Sequence, residues 1–101
     1  MSRSPADCAS MAEIRTEIDR IDQALIALFS ERWAYIGRAA EIKGTAGLKA
    51  DIPARVDEVR RNARRNAAQA GLDPDFYDEI WRQLIRHSIE HEQDMLGESK
   101  E

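Results

Sequence analysis

The sequence predicts an all-helical chain of three helices, the first so long that a second copy must cover it. Three observations carry this expectation. Apolar residues recur in alternating steps of four and three from Ile14 to Ile42. Only three prolines and five glycines interrupt 101 residues. Start and stop signals then bound two further amphipathic stretches, with no alternating pattern that would suggest strands.

The length fits one domain, residues 1–101. Charged residues make up 34% and hydrophobic residues 43%, a globular composition and not a disordered one. The single cysteine, Cys8, excludes an intrachain disulfide and a cysteine-based metal site. His87 and His91 stand at i, i+4, but without an HExxH context they read as a solvated helix face and not as metal ligands. No apolar run is long enough to span a membrane. The first ten residues lack the apolar core of a signal peptide, so the expected location is the cytoplasm. A net charge of −4 without an aromatic-basic motif argues against nucleic acid.

Ser10 followed by Glu13 makes a capping box for the first helix. The series Ile14, Ile18, Ile21, Leu25, Leu28, Arg32, Tyr35, Ala39 and Ile42 is a sustained heptad, which predicts one helix of about 33 residues with coiled-coil packing. Such a helix spans about 50 Å, too long for a compact monomer with a radius of gyration of about 13 Å. A symmetric second copy is the simplest cover for its seam. Gly44 to Asp51 breaks the period and reads as a loop, whose glycines and Lys49 suit a lid. Pro53 suits the first turn of a second helix carrying Val56, Val59, Ala63 and Ala67 on one face and stopping at Gly71. Asp73 and Pro74 open a third helix through Phe76, Ile80, Trp81, Leu84, Ile85, Ile89 and Met95, ending near Gly97. The last four residues are expected to fray.

Polar residues that break the apolar pattern are the candidates for function. Arg32 sits in the heptad seam, where a cation is costly unless paired. It either meets a glutamate of a partner helix, snorkels to solvent, or holds a small anion. Lys43 lies eleven residues on, within about 20° of the same face and about 16–17 Å away. Both side chains can converge on one small anion; alternatively Lys43 complements the helix dipole. Arg15 lies too far along the helix to share that anion in one chain, but an antiparallel copy could bring it to the other end. Its plainer reading is an ion pair with Asp19 at i+4. On the third helix Ser88 and Glu92 interrupt the stripe of Trp81, Ile85 and Met95. They either need polar partners or mark where the stripe turns to solvent. Residues 43–65 hold seven basic residues against three acidic ones, a local +4. That run is either a solvated helix face or partly directed at an anionic ligand.

These residues, in order, resemble the all-helical (type II) chorismate mutase family, which includes the related isochorismate pyruvate-lyases. The resemblance covers residues 8–96. It rests on EIRTEIDRID and SERWAYIGRAAEIK in the first helix, Arg55 in the second, and the Ser88, Glu92 pair in the third. It implies an intertwined homodimer of three-helix chains, with two sites that each draw on both subunits. It further implies that Arg15 of the other subunit and Arg32 grip substrate carboxylates. Lys43 would contact the ether oxygen and a carboxylate, Arg55 would line the site, Ser88 would support a carboxylate, and Glu92 would lie near the ether oxygen. No cofactor or metal is implied. The implied substrate is a small dicarboxylate, and several arginines suit it because each guanidinium can hold a carboxylate bidentately.

Two departures bear on the reaction. Val56 stands where many mutases carry an acidic residue for the substrate hydroxyl, and Ile52 stands at the upstream acidic position, with Asp51 adjacent. This, and the IPARV stretch around Arg55, resembles the lyases. Glu92 and Ser88 replace the glutamine and aromatic of the lyases, which favours the mutases. An ionised Glu92 would repel an oxyanion, so it is expected to work protonated, with activity falling as it ionises at higher pH. The expected activity is therefore chorismate mutase, with isochorismate pyruvate-lyase as the alternative. A non-enzymatic helical interaction module is a second alternative, in which Arg32→Ala would be harmless or stabilising.

Overall fold

The structure, a computed structural model, describes residues 2–98. A short 3-10 turn, Pro5–Asp7, precedes α1 (Met11–Ala46), α2 (Pro53–Gln69) and α3 (Pro74–Leu96). There is no strand among the described residues. The three helices expected from the periodicity are all present. The chain divides after Ala34 into two compact units, Met1–Ala34 and Tyr35–Glu101, so α1 contributes to both.

In the first unit the start of α1 is fastened by local polar contacts. The Glu13 backbone N–H donates to Ser10 Oγ at 3.2 Å, so the capping serine satisfies one orphan amide. Glu13 Oε1 also accepts weakly from the Ala9 N–H at 3.4 Å. The arm before the helix folds onto it: the Arg3 guanidinium lies 2.7 Å from Glu13 Oε2, and its backbone N–H donates to Glu17. The heptad residues Ile18, Ile21, Leu25 and Leu28 remain exposed, Leu28 at 61%.

In the second unit α2 and α3 form an antiparallel hairpin. Val56 near the start of α2 lies beside Ile85 and Ile89 late in α3, while Arg60 and Arg64 further along α2 meet Asp78 and Asp75 at the start of α3. Ala63 and Ala67 are buried as the pattern requires, and Val56 and Val59 are half-buried. The turn between the helices is closed by the expected signals. Gly71 takes φ of +77°, its N–H donates to the Ala68 carbonyl, and the Leu72 N–H reaches back to the Ala67 carbonyl at 2.8 Å. The Asp73 side chain then accepts from the Asp75 N–H at 3.0 Å to cap α3.

Among the described residues the buried hydrophobic ones are four alanines, Ala40, Ala50, Ala63 and Ala67. No large side chain is fully buried among the described residues. Phe76, expected in the apolar stripe of α3, is exposed and packs edge-on against the Tyr77 ring at 5.0 Å. Met95 is likewise exposed. No helix is long and apolar enough to cross a membrane among the described residues.

Two boundaries differ from the sequence expectation. The helical period was expected to stop at Gly44, yet α1 continues to Ala46. Gly44 continues the helix close to α3: a Cβ on it would lie 3.2 Å from Leu96 Cδ2, which would have to shift by a few tenths of an ångström. The helix instead ends at Gly47, whose φ of +71° lets the Leu48 N–H close onto the Lys43 carbonyl at 2.8 Å. The expected fraying of the last four residues fails at Glu98, whose N–H bonds the Gln93 carbonyl at 2.9 Å. The remaining three lie outside the described residues.

The Arg60–Asp78 contact is bidentate, with Nε to Oδ1 at 3.0 Å and Nη2 to Oδ2 at 2.9 Å. Arg60 holds the Asp78 carboxyl below the usual carboxylate range. A depressed native pKa means the pairing stabilises the fold above the unfolded value of about 3.9 and is lost as pH falls through the native one. Asp78→Asn is therefore expected to lower the thermal midpoint at pH 7 and to lower it less at pH 2. Thermal melts across that range check this, and an equal loss at both pH values would refute it.

Candidate functional site

The sequence marks Lys43, Ser88 and Glu92 as polar residues in apolar stripes, and the second unit brings Lys43 and Glu92 together. The Lys43 ammonium lies 2.9 Å from Glu92 Oε1, with both side chains largely withdrawn from solvent. Glu92 is 6% exposed and Ser88 8%, so the stripe of α3 does not turn outward there. Lys43 Nζ also donates to the Ala50 carbonyl at 2.8 Å. An ammonium carries three hydrogens; the Ala50 carbonyl accepts one, and the contact with Glu92 is one of charge.

The pair is a charge contact at Glu92 Oε1. That oxygen is buried and makes no hydrogen bond among the described residues, although the ammonium is close. Its geometry leaves a lone pair unmet, so a buried acceptor is held next to a cation. Ser88 sits one turn before Glu92, and its hydroxyl donates to the Leu84 carbonyl at 2.8 Å. That bond uses the hydroxyl hydrogen within the helix and leaves the oxygen as an acceptor, unless the hydroxyl rotates toward a ligand.

Ala50 is the contributor that sequence reasoning missed. It is 3% exposed, its carbonyl receives Lys43, and its N–H donates to Glu98 Oε2 at 2.8 Å. No side-chain pattern could have singled it out, because both contacts are made by the backbone of a small residue.

Arg55, in the first turn of α2, is exposed and lies 2.5 Å from Glu58 Oε1 on its own helix. Most of the other cations in the basic run are also matched by protein groups. Arg60 and Arg64 pair with Asp78 and Asp75, and Arg65 donates to Asn62. Arg15 and Arg32 belong to the first unit. Arg15 is exposed and forms no ion pair with Asp19 among the described residues, whereas Arg32 is half-buried and is not without a partner. A separate groove of about 380 Å³ between α2 and α3 is floored by Val56, Ile85 and Ile89 and rimmed by Asp51, Arg60, Arg82 and Arg86. Lys43, Ser88 and Glu92 do not line it. No cluster of three or more metal-ligating side chains occurs among the described residues.

Replacing Lys43 by methionine leaves the Glu92 carboxylate facing an apolar chain. This is expected to cost about 1–3 kcal/mol at pH 7, with most of the loss recovered in Lys43→Met/Glu92→Leu. Denaturant unfolding of the three proteins measures the coupling. Additive losses would mean that the two groups do not interact.

Residues 14–93 match the model of the family described as chorismate mutase type II. The chain is 34% identical over 89 residues to an isochorismate pyruvate lyase of Pseudomonas aeruginosa, covering 86% of this chain and 85% of that one. It is 29% identical over 90 residues to a chorismate mutase of Methanocaldococcus jannaschii, covering 89% and 91%. A T-protein of Enterobacter agglomerans is 29% identical over 86 residues, but the match spans 85% of this chain and only 23% of that protein. A second T-protein, from Haemophilus influenzae, is likewise matched over 22% of its length. The family match over most of the sequence, on an all-helical chain with a buried lysine–glutamate pair, establishes that this protein belongs to the type II chorismate mutase family.

Proposed function

We propose that this chain is a chorismate mutase that works as an intertwined homodimer and rearranges chorismate to prephenate. The observation that carries the reading is the buried Lys43–Glu92 pair next to Ser88. In the rearrangement an ether C–O bond breaks as a C–C bond forms, and negative charge builds on the ether oxygen. No base, nucleophile or metal is required. Catalysis then consists of holding a compact conformer and aiming donors at the oxygen where charge develops.

Lys43 is the fixed cation in this scheme. Its ammonium, steered by the Ala50 carbonyl, donates to the ether oxygen. Glu92, against the same ammonium, lies near the ether oxygen and fixes where the cation points. Arg32, and Arg15 from the second copy, grip the two carboxylates. Arg55 closes the site from α2 after leaving Glu58, and Ser88 supports a carboxylate. The dimer is supported by the exposed heptad seam of α1, with Tyr35 72% exposed, and by an interior in which, among the described residues, the buried hydrophobic ones are alanines. A chain of this size has little core of its own, and a second copy would cover the seam.

Isochorismate pyruvate-lyase is the second reading, in which pyruvate is eliminated to leave salicylate along a related pericyclic path. Val56 in place of an acidic residue favours it, as does the 34% identity to the Pseudomonas enzyme.

Incubating the pure protein separately with chorismate and isochorismate, and identifying prephenate or salicylate, separates the two. Prephenate from chorismate is the expected product, and turnover of isochorismate alone would replace the reading by its alternative. Arg32→Ala is expected to remain a folded dimer by sedimentation and to lose about 10²–10³ in rate. A monomeric wild-type protein, or an unimpaired Arg32→Ala, would contradict the scheme.

A further inference from the structure

The end of α3 is tied to the loop after α1 by a contact that the reaction scheme does not use. Gly97 takes φ of +69°. Its N–H donates to the Asp94 carbonyl, and the Glu98 N–H donates to the Gln93 carbonyl at 2.9 Å. This is the paired closure of a Schellman motif, and it reverses the chain at the helix end. The reversal sets the Glu98 side chain against the loop, where Oε2 accepts the Ala50 N–H at 2.8 Å. A carboxylate accepting a backbone N–H is stronger than a neutral pair, and this one meets a residue that is almost wholly buried.

Ala50 is therefore gripped on both sides. Its N–H is held by Glu98, and its carbonyl is the one to which Lys43 Nζ donates at 2.8 Å. A lysine side chain has four rotatable bonds and little intrinsic direction. In this chain the direction of the Lys43 ammonium follows from two partners, the Glu92 carboxylate that attracts it and the Ala50 carbonyl that accepts from it. The first belongs to a helix. The second lies in a loop segment outside any helix, so its position depends on whatever anchors the loop.

We propose that Glu98 is a positioning residue for the reaction: by clamping the Ala50 N–H it fixes the carbonyl that aims the Lys43 ammonium. This rests on the assignment of Lys43 as the cation that meets the reacting oxygen. Glu98 touches no substrate in this account, and its effect reaches the site only through Ala50 and Lys43.

The test compares the full chain with Glu98→Ala and Glu98→Gln, because glutamine keeps an acceptor oxygen at the same reach. Amide hydrogen exchange at Ala50 is read first, since it does not depend on any activity. Exchange is expected to quicken about tenfold or more in Glu98→Ala and to stay near wild type in Glu98→Gln. With whichever substrate the protein turns over, kcat is expected to fall about tenfold in Glu98→Ala with KM changed much less, and glutamine should restore most of it. In a Lys43→Met background, Glu98→Ala should cause no further loss of kcat. Unchanged Ala50 exchange in Glu98→Ala would overturn the proposal, as would a glutamine variant as impaired as the alanine one. A full additional loss of kcat in the Lys43→Met background would also overturn it. If neither substrate is turned over, the reading of the reaction fails while the exchange result still decides whether Glu98 holds the loop.

Discussion

A lysine ammonium held against a buried glutamate is the interaction on which the rest of this structure turns. Withdrawing either group alone from water would be costly, and side by side each offsets the cost of the other. The contact joins α1 to α3, because Lys43 belongs to one and Glu92 to the other. It also draws in the intervening loop, since the same ammonium takes the Ala50 carbonyl. The end of α1, the loop that follows it and α3 thus meet at one charge. A buried ion pair is a weak source of stability compared with apolar packing, so its presence in the interior of a small helical unit is better explained by what the cation can do than by what it holds together.

The apolar packing around this charge is thin. The buried hydrophobic residues are alanines, and the long stripe of α1 carries isoleucine, leucine and tyrosine side chains that remain open. The hairpin of α2 and α3 relies instead on charged contacts at one end, Arg60 and Arg64 against Asp78 and Asp75. The proposed dimer answers this shortage and the need for extra cations together: the same association that covers the α1 stripe brings Arg15 of one copy toward the site of the other. Assembly and catalysis would then depend on the same surface, which suits a chain too small to enclose a substrate alone.

Much of this was legible in the residues. Ser10, Pro53, Gly71, Asp73, Pro74 and Gly97 mark helix ends through local backbone chemistry, and that chemistry acts wherever those residues stand. Ser88 and Glu92 stood out because they break an apolar period, and both are buried. Gly44 misled because glycine signals a helix end from sequence, whereas here it lies inside α1, where a Cβ would come close to Leu96. The direct pairing of Lys43 with Glu92 is a tertiary contact that no local pattern encodes. Ala50 and Glu98 were invisible for different reasons. One acts through its backbone, and the other stands in a terminus expected to fray until the reversal at Gly97 is seen to fold it back. A left-handed glycine followed by a carboxylate would have been the available signal. The basic run was ambiguous because arginines that meet protein carboxylates and arginines that await a ligand look alike in sequence.

The central claim is that Lys43 is held ready for the oxygen on which charge develops. Calorimetric titration with a bicyclic ether dicarboxylate that mimics the compact transition state tests it without reference to turnover. Wild-type protein is predicted to bind this mimic at least about 100-fold more tightly than Lys43→Met does, with both proteins folded by circular dichroism. Equal affinity of the two proteins for the mimic would mean that the buried ammonium does not face the reacting oxygen, and the account would be wrong at its centre.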